Sequence, residues 1–340
     1  MEDRFSEFSC AVDDVIAEML ASPAPYAGLY DMHRYHLGWV DESGARTAAP
    51  PGKRLRPALS FLVADAVAGD WRVAVPAAAA VEMIHNFSLI HDDIEDRSAL
   101  RRFRPTVWAR WGEAQGINAG DALLVLAELT LVERAPAEWS LEALRLLNRT
   151  CRALCEGQYL DLLWEREPTV TLAQYLDMIE RKTARLFRAS AELGALAGRA
   201  SAESQELFGE FGGALGMAFQ VLDDFLGAWA PALDTGKTAG LDITTRKKAL
   251  PAILGLASPS SPAKDRFRSL FERDRPLSSE ETEEAIALLD VMGIRGQTTR
   301  MARRYREDAA RILDRLAPLY DVTSLRDFLR VMLPLTDSDA

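Results

Sequence analysis

The stretch from Val75 to Ile94, V-P-A-A-A-A-V-E-M-I-H-N-F-S-L-I-H-D-D-I, constrains this chain more than any other. Its pattern is helical, and it is apolar almost all round until Asp92. A helix with no polar face belongs in the centre of a large bundle. This one runs into H-D-D-I-E-D, which carries Asp92, Asp93 and Asp96. Asp92 and Asp96 are four apart, so a helix stacks them on one face, where like charges repel. A hard, oxygen-binding cation is expected between them. About 130 residues further on, F-Q-V-L-D-D-F-L-G places Asp223 and Asp224 in a second apolar helical stretch. Carboxylates in such surroundings are costly unless paired or metal-bound. Two such clusters, facing each other, suit several Mg²⁺ ions around a polyphosphate.

Helical periodicity prevails elsewhere. It predicts helices over Phe5–Leu20, Arg54–Ala68, Asn118–Arg134, Leu141–Trp164, Leu172–Leu196 and Ala202–Ala228, then shorter ones over Lys247–Leu256, Pro262–Phe271, Ser279–Val291 and Arg295–Leu316. Loops are expected over Ser22–Gly28, Asp41–Gly52, Arg97–Trp111 and Trp229–Thr244. No convincing alternating strand appears. The expected fold is all-α, a single domain over residues 1–340, with long helices around a central cavity.

A net charge of −11 and a pI near 5.0 argue against binding nucleic acid or anionic membrane. No run of apolar residues is read as a transmembrane segment, and M-E-D-R-F-S-E-F does not begin a signal peptide. A cytoplasmic protein is expected. Cys10, Cys151 and Cys155 make no disulfide framework, and the last two are expected to be small buried residues. Of 40 basic residues, six are lysine: Lys53, Lys182, Lys237, Lys247, Lys248 and Lys264. In so Arg-rich a chain, a retained lysine suggests a need for its compact charge and flexible stem.

Several short motifs surround the acidic clusters. G-K-R-L-R-P puts Lys53 and Arg56 at a helix start, a favourable place for phosphate. His85 lies two turns before Asp92 and shares its face. Arg101 and Arg102 follow the first cluster in L-R-R-F-R-P-T-V-W, and arginine binds diphosphate bidentately. Lys182 and Thr183 sit inside a helix. Lys237, Asp242 and Lys247 follow the second cluster in T-G-K-T-A-G-L-D-I-T-T-R-K-K-A-L-P.

From about Tyr30 to Pro251 these motifs, in this order and spacing, resemble the trans-isoprenyl diphosphate synthases, or polyprenyl synthetases. The resemblance implies a large all-helical bundle of the isoprenoid synthase type I fold, a homodimer, and Mg²⁺, three ions per active site. It implies that Asp92, Asp96 and Asp223 ligate the ions that grip an allylic diphosphate, with Asp93 and Asp224 supporting them. Arg101, Lys182 and Lys237 would contact the same diphosphate. Lys53, Arg56, His85 and Arg102 would hold isopentenyl diphosphate. Thr183 and Gln220 would lie near the reacting carbons, and Lys247 would close over the site. Phe87 and Ser88, about one turn deeper than Asp92, would set product length, and a bulky aromatic at the position of Phe87 implies products of fifteen or twenty carbons.

Three departures stand out. Gly227 replaces a third aspartate common in the second cluster. Ala230 and Pro231 stand where one branch of the family carries an acid after its Trp, with Asp234 as a possible substitute. Phe103 replaces the commoner Gly or His. A terpene cyclase on the same bundle would share Asp92 and Asp96 but would not need Lys53, Arg56 and His85. A non-catalytic partner subunit would carry degraded clusters, and these are intact. The expected activity is therefore short-chain prenyl elongation.

Overall fold

Apolar residues recurring every three or four positions commit most of this chain to helix, and the caps decide where each helix ends. The computed structural model describes residues 2–21, 25–47, 54–165, 167–229 and 240–334, and these are overwhelmingly helical. By contact they form two compact units.

The first unit comprises Met1–Cys151, Ala189–Gly209 and Leu319–Leu325. Its helices are α1 (Glu2–Met19), α2 (Ala27–His36), α3 (Leu55–Ala68), α4 (Val75–Glu95), α5 (Val107–Trp111) and α6 (Glu113–Arg134). It also takes parts of α7 (Ala137–Glu165) and α9 (Arg185–Ala197). The apolar helix α4 packs against α1, α3, α5 and α6, as its lack of a polar face requires. Two glycines on α6 set that approach. A β-carbon at Gly116 would lie 2.8 Å from Ile94 Cδ1, and one at Gly120 would run into the His91 ring. Phe8, Phe61 and Trp71 close the far side, with ring centroids 4.9 to 5.1 Å apart. On α3, the Ser60 hydroxyl donates to the Ser190 carbonyl of α9 at 2.8 Å.

The second unit comprises Arg152–Arg188, Glu210–Pro318 and Arg326–Ala340. It holds the end of α7, then α8 (Leu172–Ile179), a π-helical turn at Glu180–Ala184 and most of α10 (Ala202–Trp229). Next come α11 (Leu241–Thr244), α12 (Leu250–Ala257), α13 (Pro262–Phe271), α14 (Ser279–Val291) and α15 (Ile294–Leu316), with α16 (Thr323–Met332) last in the chain. Thr171 and Gln174 form a reciprocal capping box that starts α8, satisfying backbone donors that a helix leaves open. One core gathers Tyr175, Met178, Val221, Leu250 and Ile253. A second gathers Phe267, Leu270, Leu289 and Ile294.

The fold is all-α, as the periodicity predicts. Four details differ from the expectations. Helices α2 and α16 lie where none was predicted. The expected loop Arg97–Trp111 contains α5 and a two-residue hairpin, in which Leu100–Arg101 pairs with Arg104–Pro105. The expected helix Leu172–Leu196 is interrupted by the π turn. Cys151 is buried but Cys155 is exposed. In addition, two segments, Trp71–Glu95 and Glu113–Arg134, are long and apolar enough to cross a bilayer. The first is mostly buried and packs as a core helix.

Candidate functional site

Within the first unit, α4 ends where its acidic residues lie. Asp96 caps the helix, its N–H bonding the Asp92 carbonyl at 2.9 Å, and Ser98 N–H bonds the Asp93 carbonyl at 2.9 Å. Asp92 and Asp96 remain partly or fully exposed, whereas Asp93 turns inward and is 2% exposed. The Arg101 Nε donates to both Asp93 oxygens at 2.9 and 3.0 Å, and Arg101 Nη2 lies 3.6 Å from Asp92 Oδ2. Burial pushes the Asp93 carboxyl up, and Arg101 holds it down. Asp93 thus anchors the hairpin that carries Arg101 and Arg102.

That hairpin turns through Arg102 and Phe103, at φ 51° and 61°. Two left-handed residues in succession are what a two-residue hairpin loop demands, and glycine or asparagine usually supplies them. The Phe103 ring is 79% exposed. Arg104 is held by the Val40 carbonyl at 2.6 Å and stacks over Tyr35 at 4.2 Å. Together with His36 and Thr106, Arg101, Arg102 and Arg104 line a small cleft.

Deeper in this unit, Arg56 Nη1 donates to His85 Nε2 at 3.3 Å. A guanidinium has no acceptor, so this geometry requires neutral imidazole with its proton on Nδ1. The electrostatics agree. Burial, then the charges of Arg56, Arg101 and Arg102, drive His85 well below its ordinary pKa. Burial and the same two hairpin arginines push His36 down to about 3. Burial also lowers Arg56, to about 10. Between the two basic residues of G-K-R-L-R-P, Arg54 turns inward. It pairs with Asp13 and with Glu82 at 2.7 Å, and Asn86 donates to the same Glu82 oxygen at 2.9 Å. Lys53 lies outside the described residues.

On α4, Phe87 is 7% exposed and packs edge-on against His91, centroid to centroid 5.3 Å. His91 in turn reaches the Ile117 carbonyl of α6 at 3.2 Å. At 100° per residue, Phe87 lies about 140° around the helix from Asp92, and Ser88 only about 40°. The Ser88 hydroxyl donates to the His85 carbonyl at 2.8 Å.

Within the second unit, one hydrogen-bonded chain links the expected residues. Thr183 Oγ1 donates to Gln220 Oε1 at 2.7 Å, and Gln220 Nε2 donates to Asp224 Oδ1 at 2.8 Å. The other Asp224 oxygen accepts from the Tyr175 hydroxyl at 2.6 Å and from the Leu250 N–H at 2.8 Å. Asp224 is therefore a buried hub joining α8, α10 and α12, and burial pushes its carboxyl up to about 6. Its neighbour Asp223 stays partly exposed. Lys182 Nζ bonds Asp161 at 2.6 Å. Lys248 ties its loop to the end of α7 through the Trp164 carbonyl at 2.8 Å, where cations suit the helix dipole. Lys247 is exposed beside it. Lys237, Ala230, Pro231 and Asp234 lie outside the described residues.

The missing acid at Gly227 has a local explanation. A β-carbon there would strike the Asp242 carboxylate, with Cγ at 2.9 Å. Asp242, at the start of α11, occupies the space a side chain at 227 would take. Tyr175, Asp161, His36 and Glu82 were not singled out in the sequence. Their partners come largely from distant segments, so no local pattern marks them.

Among the described residues, no three His, Cys, Asp or Glu side chains form a group able to cage a metal ion. Mg²⁺ is usually held by one or two carboxylates, with water and substrate phosphates completing its shell. In the first unit Asp92 is partly exposed and Asp96 exposed, and in the second Asp223 is partly exposed.

These features define an all-helical protein with accessible carboxylates on helices and, in the first unit, partly buried basic groups. The polyprenyl synthetase family profile matches residues 38–289, and the chain belongs to that family. It is 40% identical over 273 residues to the (2E,6E)-farnesyl diphosphate synthase of Mycobacterium bovis, covering 80% of this chain and 76% of that one. It is 38% identical over 333 residues to the geranylgeranyl diphosphate synthase of Methanosarcina mazei, covering 97% of each. The crystal structure of a polyprenyl synthetase from Streptomyces coelicolor A3(2) superposes with a TM-score of 0.88 at 33% identity, over 97% of each chain.

Proposed function

We propose that this protein is a trans-prenyltransferase that condenses isopentenyl diphosphate with an allylic diphosphate, yielding a product of fifteen or twenty carbons. One observation carries the reading. The first unit holds accessible Asp92 and Asp96 and, separately, the Arg56–His85 pair with its neighbouring arginines. Elongation needs places for two diphosphates, and cyclisation needs one. Relatives named farnesyl and geranylgeranyl diphosphate synthases support the same choice.

In this reading Asp92, Asp96 and Asp223 take Mg²⁺, three ions per site. Bound Mg²⁺ supplies positive charge to the departing diphosphate. Arg101, Lys182 and Lys237 contact that diphosphate, and Asp93 fixes Arg101. Lys53, Arg56, His85 and Arg102 hold isopentenyl diphosphate, with neutral His85 free to donate from Nδ1. The allylic C–O bond breaks, the double bond of isopentenyl diphosphate attacks the cation, and a proton is lost to the released diphosphate. Thr183 and Gln220, fixed through Asp224, lie along the reacting carbons. Lys247 closes the site and water is excluded. Phe87 limits the product from the α6 side and Ser88 from below Asp92.

We further infer one helical domain over residues 1–340, working in the cytoplasm as a homodimer. The α6 face opposite α4 supports the dimer, since it exposes Ile117, Val125, Leu129 and Val132. The deciding experiment incubates the protein with isopentenyl diphosphate and each allylic diphosphate, with and without Mg²⁺. Elongated products only with both substrates and metal are expected. Cyclic hydrocarbons from an allylic diphosphate alone would replace this reading with a cyclase.

A further inference from the structure

The π turn Glu180–Ala184 is held at nearly every residue. Arg181 donates to Glu156 at 2.6 Å and to Asp177 at 3.1 Å. Lys182 bonds Asp161, and Thr183 bonds Gln220. Two glycines grip the backbone itself. A β-carbon at Gly157 of α7 would lie 2.8 Å from Lys182 Cα and 2.9 Å from the Arg181 carbonyl carbon. One at Gly216 of α10 would lie 2.7 Å from Ala184 Cα. The turn is therefore clamped between α7 and α10 at a contact that no side chain could enter. π turns inside α-helices recur at functional sites.

Gly157 and Asp161 are four apart, so they share one face of α7. The first admits the Lys182 backbone, and the second takes its ammonium at 2.6 Å. Asp161 and Lys182 side chains are 18% and 25% exposed. A lysine stem is flexible, and its compact charge can settle on any carboxylate within reach.

We propose that Asp161 is a positioning residue: together with Gly157 it sets the Lys182 ammonium in one place, aimed before any diphosphate arrives. Its kinetic consequence rests on the prenyl-transfer reading above. A cation placed in advance costs nothing to reorient when the allylic C–O bond breaks. The effect of losing Asp161 belongs in kcat rather than in substrate affinity.

Asp161→Asn keeps the shape and removes the charge. The chain has six lysines, so their ¹⁵N ammonium resonances can be assigned by single Lys→Arg substitutions. In substrate-free protein, Lys182 should show a slowly exchanging ammonium signal that Asp161→Asn abolishes. In turnover, Asp161→Asn should lower kcat about tenfold and shift the allylic KM less than about threefold. Added to Lys182→Ala it should cost nothing more, because Asp161 acts only through that ammonium. An unchanged kcat, an unchanged Lys182 signal, or losses that multiply in the double variant would each overturn the proposal. Should wild-type protein condense no pair of these diphosphates, the functional reading falls. The ammonium signal, recorded without substrate, still decides whether Asp161 holds Lys182.

Discussion

Three of the four histidines, one buried and two partly buried, are held in their neutral form. His33, His36 and His85 are all driven below the ordinary imidazole value, chiefly by burial. The unfolded chain binds protons at these groups near pH 6.5 and the folded chain does not, so their stabilisation is full above that pH and is lost as pH falls. Asp13 and Asp224, pushed up to about 6, act with the opposite sign, since there the folded state keeps the proton longer. The readable quantity is therefore a difference. On going from pH 7 to pH 5, His85→Gln should lose about 2 kcal/mol less stability than wild type, measured by denaturant unfolding without metal or substrate. Parallel curves would show that His85 is not held neutral. Phe87 is the second residue whose role can be read out alone. Phe87→Ala should lengthen the product by at least one five-carbon unit, as seen by chromatography of the dephosphorylated products. An unchanged distribution from a folded, active variant would assign the ring to packing against His91 alone.

The hairpin between Leu100 and Pro105 stores backbone strain. Arg102 and Phe103 both occupy the left-handed region, which costs an L-residue about 1–2 kcal/mol. Asp93 offsets this by gripping Arg101 from inside, and the Val40 carbonyl holds Arg104. Phe103 itself makes little use of its ring, being 79% exposed. Phe103→Gly should stabilise the protein by about 0.5–1 kcal/mol, the relief of strain less the extra chain entropy of glycine. A lower urea midpoint for the variant would show that the ring has a packing role its exposure conceals.

At the scale of the whole molecule, one helix face bears on assembly. Helix α6 buries one face on α4 and leaves Ile117, Val125, Leu129 and Val132 exposed on the other. These positions recur near the helical repeat and form one apolar stripe. A second copy of the chain is the occupant proposed above. Val125→Glu with Val132→Glu should convert a dimer to a monomer in sedimentation while preserving the helical circular dichroism signal. An unchanged sedimentation coefficient would place the contact elsewhere or dismiss it.

Much of this was legible without coordinates, because helices leave a local signature. The period of the apolar positions predicted α3, α4, α10 and α13–α15, and the aspartates of α4 and α10 stood out because carboxylates are costly in apolar runs. Other features depended on residues far apart in sequence. Nothing local marks Asp224 as a hub, for its partners Tyr175 and Leu250 lie 49 and 26 residues away. Gly227 looked like a lost acid until Asp242 was found in its space. Asp161 became meaningful only when Gly157 brought a separate helix to its side. Periodicity determines which residues turn inward, since it is a property of neighbours along the chain. Which inward groups meet was decided by tertiary packing, where a missing β-carbon or a buried charge selects the partner.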